Sequence, residues 1–208
     1  MLQLIAHTLT QQGIKKGAIQ PEEESLYQYG YEISLSTLGG ILAVLLLSAF
    51  TTSVFYGILF LIIFTPIRFF AGGYHANSYL KCFLTMIVLY SLVLFIFLST
   101  PSAWYVWLVP GIATLSGIMI FGMAPIVSKS NPLSSKKIIR NKRISRLMIF
   151  FEWAIVAAVY FIRSETREFA YFASLALLSV AALMILAKVM ENAKDNSRPI
   201  KADSRSEK

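Results

Sequence analysis

Residues 68–82 read RFFAGGYHANSYLKC and hold the only cysteine of the chain and one of its two histidines. A thiol is a nucleophile mainly as the thiolate, and a nearby imidazole or positive potential supplies that character. His75 lies seven residues before Cys82, Gly72 and Gly73 precede the histidine, and Arg68 and Lys81 bring positive charge. These residue types suit acyl transfer through a cysteine, with His75 moving the proton. Their spacing sets a condition on the backbone. On one continuous helix, positions seven apart share a face but sit about 10.5 Å apart along the axis, too far for a thiol–imidazole hydrogen bond. The chain must therefore fold back between them. Gly72 and Gly73 permit a break before His75. A helix capped near Ser78 would then carry Cys82 in its first turns, where the helix dipole favours an anion.

Each of these residues also has a plainer role. A single cysteine near a helix start is ordinarily a small, buried apolar side chain. His75 would serve as an interfacial histidine bonded to backbone or headgroups, and His7 reads as a surface residue. One cysteine with one neighbouring histidine falls short of a metal-ligand set, so neither a metal nor another cofactor is expected. No G-x-S-x-G motif supports a serine nucleophile, and a single cysteine forms no disulfide within the chain.

The elements that must position these residues are membrane-like. Of the 208 residues 56% are apolar and 14% charged, a balance unusual for a soluble protein. No charge occurs from 33 to 67 or from 83 to 128, and uncharged apolar runs of about 18 residues or more read as transmembrane helices. Gln11, Gln12, Lys15 and Lys16 break the first apolar stretch, so no cleavable signal peptide is expected. The expected fold is all-α: a polytopic membrane protein of about six transmembrane helices with an N-terminal amphipathic segment over 1–31. The run 33–67 would be about 52 Å long as one helix, too long for a core of about 30 Å. It reads as two helices, 33–49 and 54–70, turning at AFTTS, with Pro66 kinking the second. Further spans are expected at 83–99, 103–124, 147–163 and 169–187, with Pro110 and Gly111 bending or breaking the second of these. The transmembrane domain thus covers 32–187, with the catalytic segment at 68–82, a basic loop at 125–147 and a polar tail over 188–208.

A net charge of +8 would suit nucleic acid, but its distribution suits a membrane. With the N-terminus inside and six spans, 17 of the 19 Lys and Arg fall on inner segments, and only Arg163 and Arg167 lie outside. The positive-inside rule then places both termini and the His75–Cys82 segment in the cytoplasm. The 125–147 loop carries Lys129, Lys136, Lys137, Arg140, Lys142, Arg143 and Arg146 with no acid. Such a loop attracts anionic lipid on that side or docks an acidic peptide. Glu32, at the cytoplasmic end of the first span, is a candidate to orient His75 or pair with Arg68. Glu152 lies within the fifth span, where acids are functional candidates, or it pairs with Arg143 or Arg146.

Arg68, Gly73, His75 and Cys82 form R-x4-G-x-H-x6-C between apolar spans, followed by an AP…KS-NPL stretch over 124–133 and the basic loop. This pattern resembles the accessory gene regulator B (AgrB) family, membrane peptidases that process quorum-sensing pheromone precursors in Gram-positive bacteria. The resemblance implies a cysteine endopeptidase with Cys82 as nucleophile, His75 as base and acid, and Arg68 and Gly73 at positions associated with the site. It implies an AgrD-like precursor peptide as substrate, with an amphipathic N-terminal region and an acidic tail. Release of that tail through a Cys82 thioester would permit cyclisation to a thiolactone or lactone. A homodimer is also implied. Two rival readings need no peptidase. A small transporter or channel predicts polar residues along the span interiors, where the sequence has few. A membrane adaptor recruiting a partner through its basic loop leaves the Gly-Gly-x-His…Cys cluster unexplained.

Overall fold

The structure, a computed structural model, describes residues 2–72, 79–126 and 134–196. These form seven α-helices: α1 (Leu2–Lys15), α2 (Glu24–Thr51), α3 (Val54–Ala71), α4 (Tyr79–Ser99), α5 (Tyr105–Met123), α6 (Ser135–Ile162) and α7 (Arg167–Asn196). Among the described residues there is no β-strand. Six segments, containing α2 to α7, are long and apolar enough to cross a membrane. The protein is an all-α, multi-pass membrane protein.

The turn at AFTTS falls at Thr52–Ser53, where the Ser53 hydroxyl accepts from the Phe55 N–H at 3.3 Å and starts α3. The first span nevertheless begins at Glu24 and not at 33, because no proline stops the helix between Glu24 and the uncharged run. Residues 24–31 thus belong to the first spanning helix. Its 28 residues extend about 42 Å, so α2 reaches beyond the bilayer core at its N-terminal end. Likewise α6 begins at Ser135. After Pro132 the basic segment has no proline or glycine, and Lys and Arg are good helix formers. Residues 135–146 are therefore about three turns of helix continuous with the span, where a loop was expected. At the other end α7 continues past Lys188 to Asn196.

No break occurs at Pro110. A proline cannot donate to the carbonyl four residues back, which here is that of Val106. Tyr160 on α6 donates its hydroxyl to that oxygen at 3.1 Å, so α5 continues through the proline and is tied to its neighbour. Pro66 likewise sits inside α3, which runs on to Ala71.

α7 is the central post, packed by α3, α4, α5 and α6. Its buried positions include Ala170, Ala173, Ser174, Ala176 and Ala181, small side chains that let neighbouring helices approach closely in lipid. α2, α3 and α4 form a second group. The buried Ser48 hydroxyl is bonded to that of Tyr90, and the Tyr90 ring meets Phe60 edge-on at 4.8 Å. Gly57 lies so close to Ser48 that a Cβ there would overlap the hydroxyl. α1 packs on α2 by burying Ala6 and Thr10. Glu24 accepts from Gln11 at 2.7 Å, and His7, half exposed, stands 3.7 Å from the same carboxylate oxygen.

Candidate active site

Cys82 is the fourth residue of α4. It therefore lies in the first turn, where backbone N–H groups have no intrahelical acceptor and the dipole favours an anion. It is exposed, so the reading of a buried, inert cysteine does not hold. The residue lines a cavity of about 210 Å³ bounded by α2, α3, α4 and Leu183 of α7. Arg68, from the last turn of α3, lines the same cavity and lies within electrostatic range of the Cys82 sulfur. Fourteen positions apart in sequence, the two meet because α3 and α4 both pack against α2 and α7, which bring their ends to one cavity.

Arg68 is oriented by its own helix terminus. Its Nη1 donates to the Gly72 carbonyl at 2.8 Å. Gly72 ends α3 at φ 74° and ψ −153°, a region essentially open only to glycine. A Cβ there would also overlap the Ile126 carbonyl oxygen. The Ile126 N–H donates to the Ala71 carbonyl at 2.8 Å, and Gly72 and Ile126 pair as an isolated parallel bridge. Residues 124–126, which open the second stretch of the sequence resemblance, are thereby joined to the end of α3 that presents Arg68. Two segments more than 50 residues apart in sequence meet beside one cavity.

Glu32 is buried on α2 and accepts from the Gln28 side chain at 3.1 Å. It stands one helical turn before Ser36, which lines the cavity, and does not itself form part of the wall. Gly73, His75, Ser78 and Lys129 lie outside the described residues. The remaining basic candidates, Lys136, Lys137, Arg140, Lys142 and Arg143, are all exposed on the first turns of α6. The expected pairing of Glu152 with Arg143 or Arg146 does not form: its Oε2 is buried without a hydrogen-bond partner, and no ion pair joins it to either arginine. Six residues beyond Arg146, Glu152 has risen about 9 Å along the helix and turned to another face. Among the described residues no group of three His, Cys, Asp or Glu side chains is placed to hold a metal ion.

Sequence reasoning missed the α2 wall of the cavity, made by Ser36, Thr37, Gly40 and Ile41. The signal was present as the hydroxyl-rich run SLST at 34–37 followed by Gly39 and Gly40 within an uncharged span. Gly39 and Gly40 face Phe83 and Met86 of α4, and their lack of side chains leaves room beside Cys82.

The family model for accessory gene regulator B matches residues 3–189 of the chain. The chain belongs to the AgrB family. Comparison with curated proteins and with solved structures gives no match. AgrB membership links the protein to quorum-sensing pheromone processing, with a peptide precursor as its partner in the membrane. Within that AgrB frame, the cavity shared by Arg68 and Cys82 is the described part of the molecule that presents a thiol and a guanidinium to a common space.

Proposed function

We propose that the protein is a membrane-embedded cysteine endopeptidase that removes the C-terminal tail of an AgrD-like autoinducing-peptide precursor. The observation that carries this reading is the exposed Cys82 in the first turn of α4, sharing a cavity with Arg68. His75 takes the thiol proton as the Cys82 sulfur attacks the precursor carbonyl, then gives that proton to the departing tail amine. The acyl group is left on Cys82 as a thioester. A thiol or hydroxyl of the same peptide, held close and shielded from water, captures the acyl group and releases Cys82 as a thiol or thiolate. The product is a thiolactone or lactone ring. Arg68 stabilises the developing oxyanion by its charge, and Gly72 and Gly73 shape the approach to the site. Glu32 orients His75.

The exposed stripe Lys136, Lys137, Arg140, Lys142 and Arg143, with Lys129, offers an acidic precursor tail a complementary surface. The distribution of Lys and Arg supports an orientation with both termini, Cys82 and this stripe in the cytoplasm, facing the anionic leaflet. Two copies of the chain form the working unit.

The test uses protein in lipid vesicles with a synthetic AgrD-like precursor peptide, followed by intact mass spectrometry after quenching. Wild type should release the tail and yield a Cys82-linked acyl adduct or a dehydrated ring. Cys82→Ala should do neither, and His75→Ala should lose roughly a hundredfold or more in rate. Equal processing by all three proteins would sink the dyad.

A further inference from the structure

Between α5 and α6, apart from the Cys82 cavity, lies a second hollow of about 430 Å³. Its walls include Ile118, Phe121, Phe150 and Trp153, whose side chains are exposed on two helices long and apolar enough to cross a membrane. Two glycines hold it open. A Cβ at Gly122 would meet nothing within 4 Å, and one at Gly117 would meet only the Trp153 ring, at 3.8 Å. Lined almost wholly by apolar side chains on two candidate spans, the hollow suits an apolar occupant.

Its end nearest the basic turns of α6 carries a different chemistry. The Arg146 guanidinium carbon sits 4.3 Å from the centroid of Phe121, one of the wall residues. Its Nε is buried and has no hydrogen-bond partner. Lys142, Arg146, Ile149, Phe150 and Trp153 follow at three- and four-residue steps, so cations and hollow lie on one stripe of α6. An apolar hollow that ends at a guanidinium with a buried, unpartnered Nε–H matches an amphiphile with an anionic head. The planar fork of arginine suits a phosphate better than a neutral dipole, and a buried donor left without an acceptor is costly.

We infer that the α5–α6 hollow is a binding site for one anionic phospholipid, with an acyl chain lying along Gly117 and Gly122 and the phosphate meeting Arg146. Lys142 and Arg143, one turn back on α6 and exposed, add to the field at the headgroup. The site depends on the multi-pass fold and is independent of the peptidase chemistry at Cys82.

Trp153 is a built-in reporter. The chain has three tryptophans, and W104F/W107F leaves only the one in the hollow. This protein would be reconstituted in phosphatidylcholine vesicles, and phosphatidylglycerol with brominated acyl chains titrated in as a quencher. Saturable quenching at low mole fraction is expected, while brominated phosphatidylcholine with the same chains quenches only in proportion to its amount. R146Q should raise the half-quenching fraction about fivefold, and R146K should restore part of the affinity, since lysine keeps the charge without the planar fork. G122L should fill the hollow and reduce maximal quenching by either lipid. Should G122L fail to fold, the R146Q and R146K pair decides the matter. Equal quenching by the two headgroups, or a curve unchanged by R146Q, would overturn the assignment. So would Trp153 shielded in proportion to protein density and indifferent to headgroup, which would mark the hollow as a contact between two copies.

Discussion

The central post and the group that carries Cys82 are built on opposite terms. Of the apolar stretch of α7, 72% is buried inside the protein, against 17% in α2 and 22% in α4. Lipid tails are as apolar as leucine, so a spanning helix gains little by hiding leucines from them, and close packing of small side chains decides which helix sits centrally. α7 meets that requirement with its alanines and serines. α2 and α4 instead turn Leu38, Leu42, Leu84, Val88 and Leu92 outward and meet each other across Gly39 and Gly40, next to the site. Rigidity is thus concentrated in the post, while the candidate chemistry is on a thinner layer leaning against it. Stability and activity should accordingly separate by position.

The largest effect is expected at Gly72. Gly72→Val would place a β-branched side chain in a conformation costing roughly 1–3 kcal/mol by itself, and its Cβ would overlap the Ile126 carbonyl oxygen. The end of α3 must then leave residues 124–126, and precursor processing should be lost. A change in maleimide labelling of Cys82 in the folded protein would show that the site was the casualty. Next comes Leu177→Ala in the post, where the side chain is fully buried. It should lower stability in detergent by about 2 kcal/mol or more through the cavity left behind. Leu92→Ala on α4, at a position 52% exposed, should change it by less than about 0.5 kcal/mol. Similar losses from both, measured by thermal denaturation, would erase the contrast between post and outer layer. Smallest is Glu32→Gln, which keeps the shape and the neighbour of a buried side chain. Melting should hardly move, and processing should slow by less than the roughly hundredfold expected from loss of the base. An unchanged rate would return Glu32 to a purely structural role beside Gln28.

Much of the fold was legible in the chain, and the reason is local. Absence of charge over 33–67 and 83–128 marks apolar spans whatever else the protein does, and Ser53 caps α3 through a contact two residues long. Helix ends were less legible where nothing local stops a helix. The extra turns at 24–31, expected within the interfacial segment, and at 135–146, expected as loop, rest on the absence of a proline, which polar composition disguised. At Pro110 the helix runs on without a break for the opposite reason: the unpaired Val106 carbonyl is met by Tyr160, 54 residues away in sequence. Within the site, Cys82 and Arg68 could be singled out because their types are rare among apolar neighbours. Ser36, Thr37 and Gly40 could not, since hydroxyls and glycines occur throughout spanning helices.

The sequence by itself determined the solvent of this protein, its all-α class, the sign of its net charge and the one thiol available for chemistry. These properties sum over single residues or short runs. Only the tertiary structure decided that Arg68 and Cys82 line one cavity with α2, that Gly72 is clamped against Ile126, and that Arg146 stands at the end of an apolar hollow. Each of those depends on which helix faces meet. In a bilayer that choice is made by fit between small and large side chains on different helices, a property that no stretch of the chain carries alone.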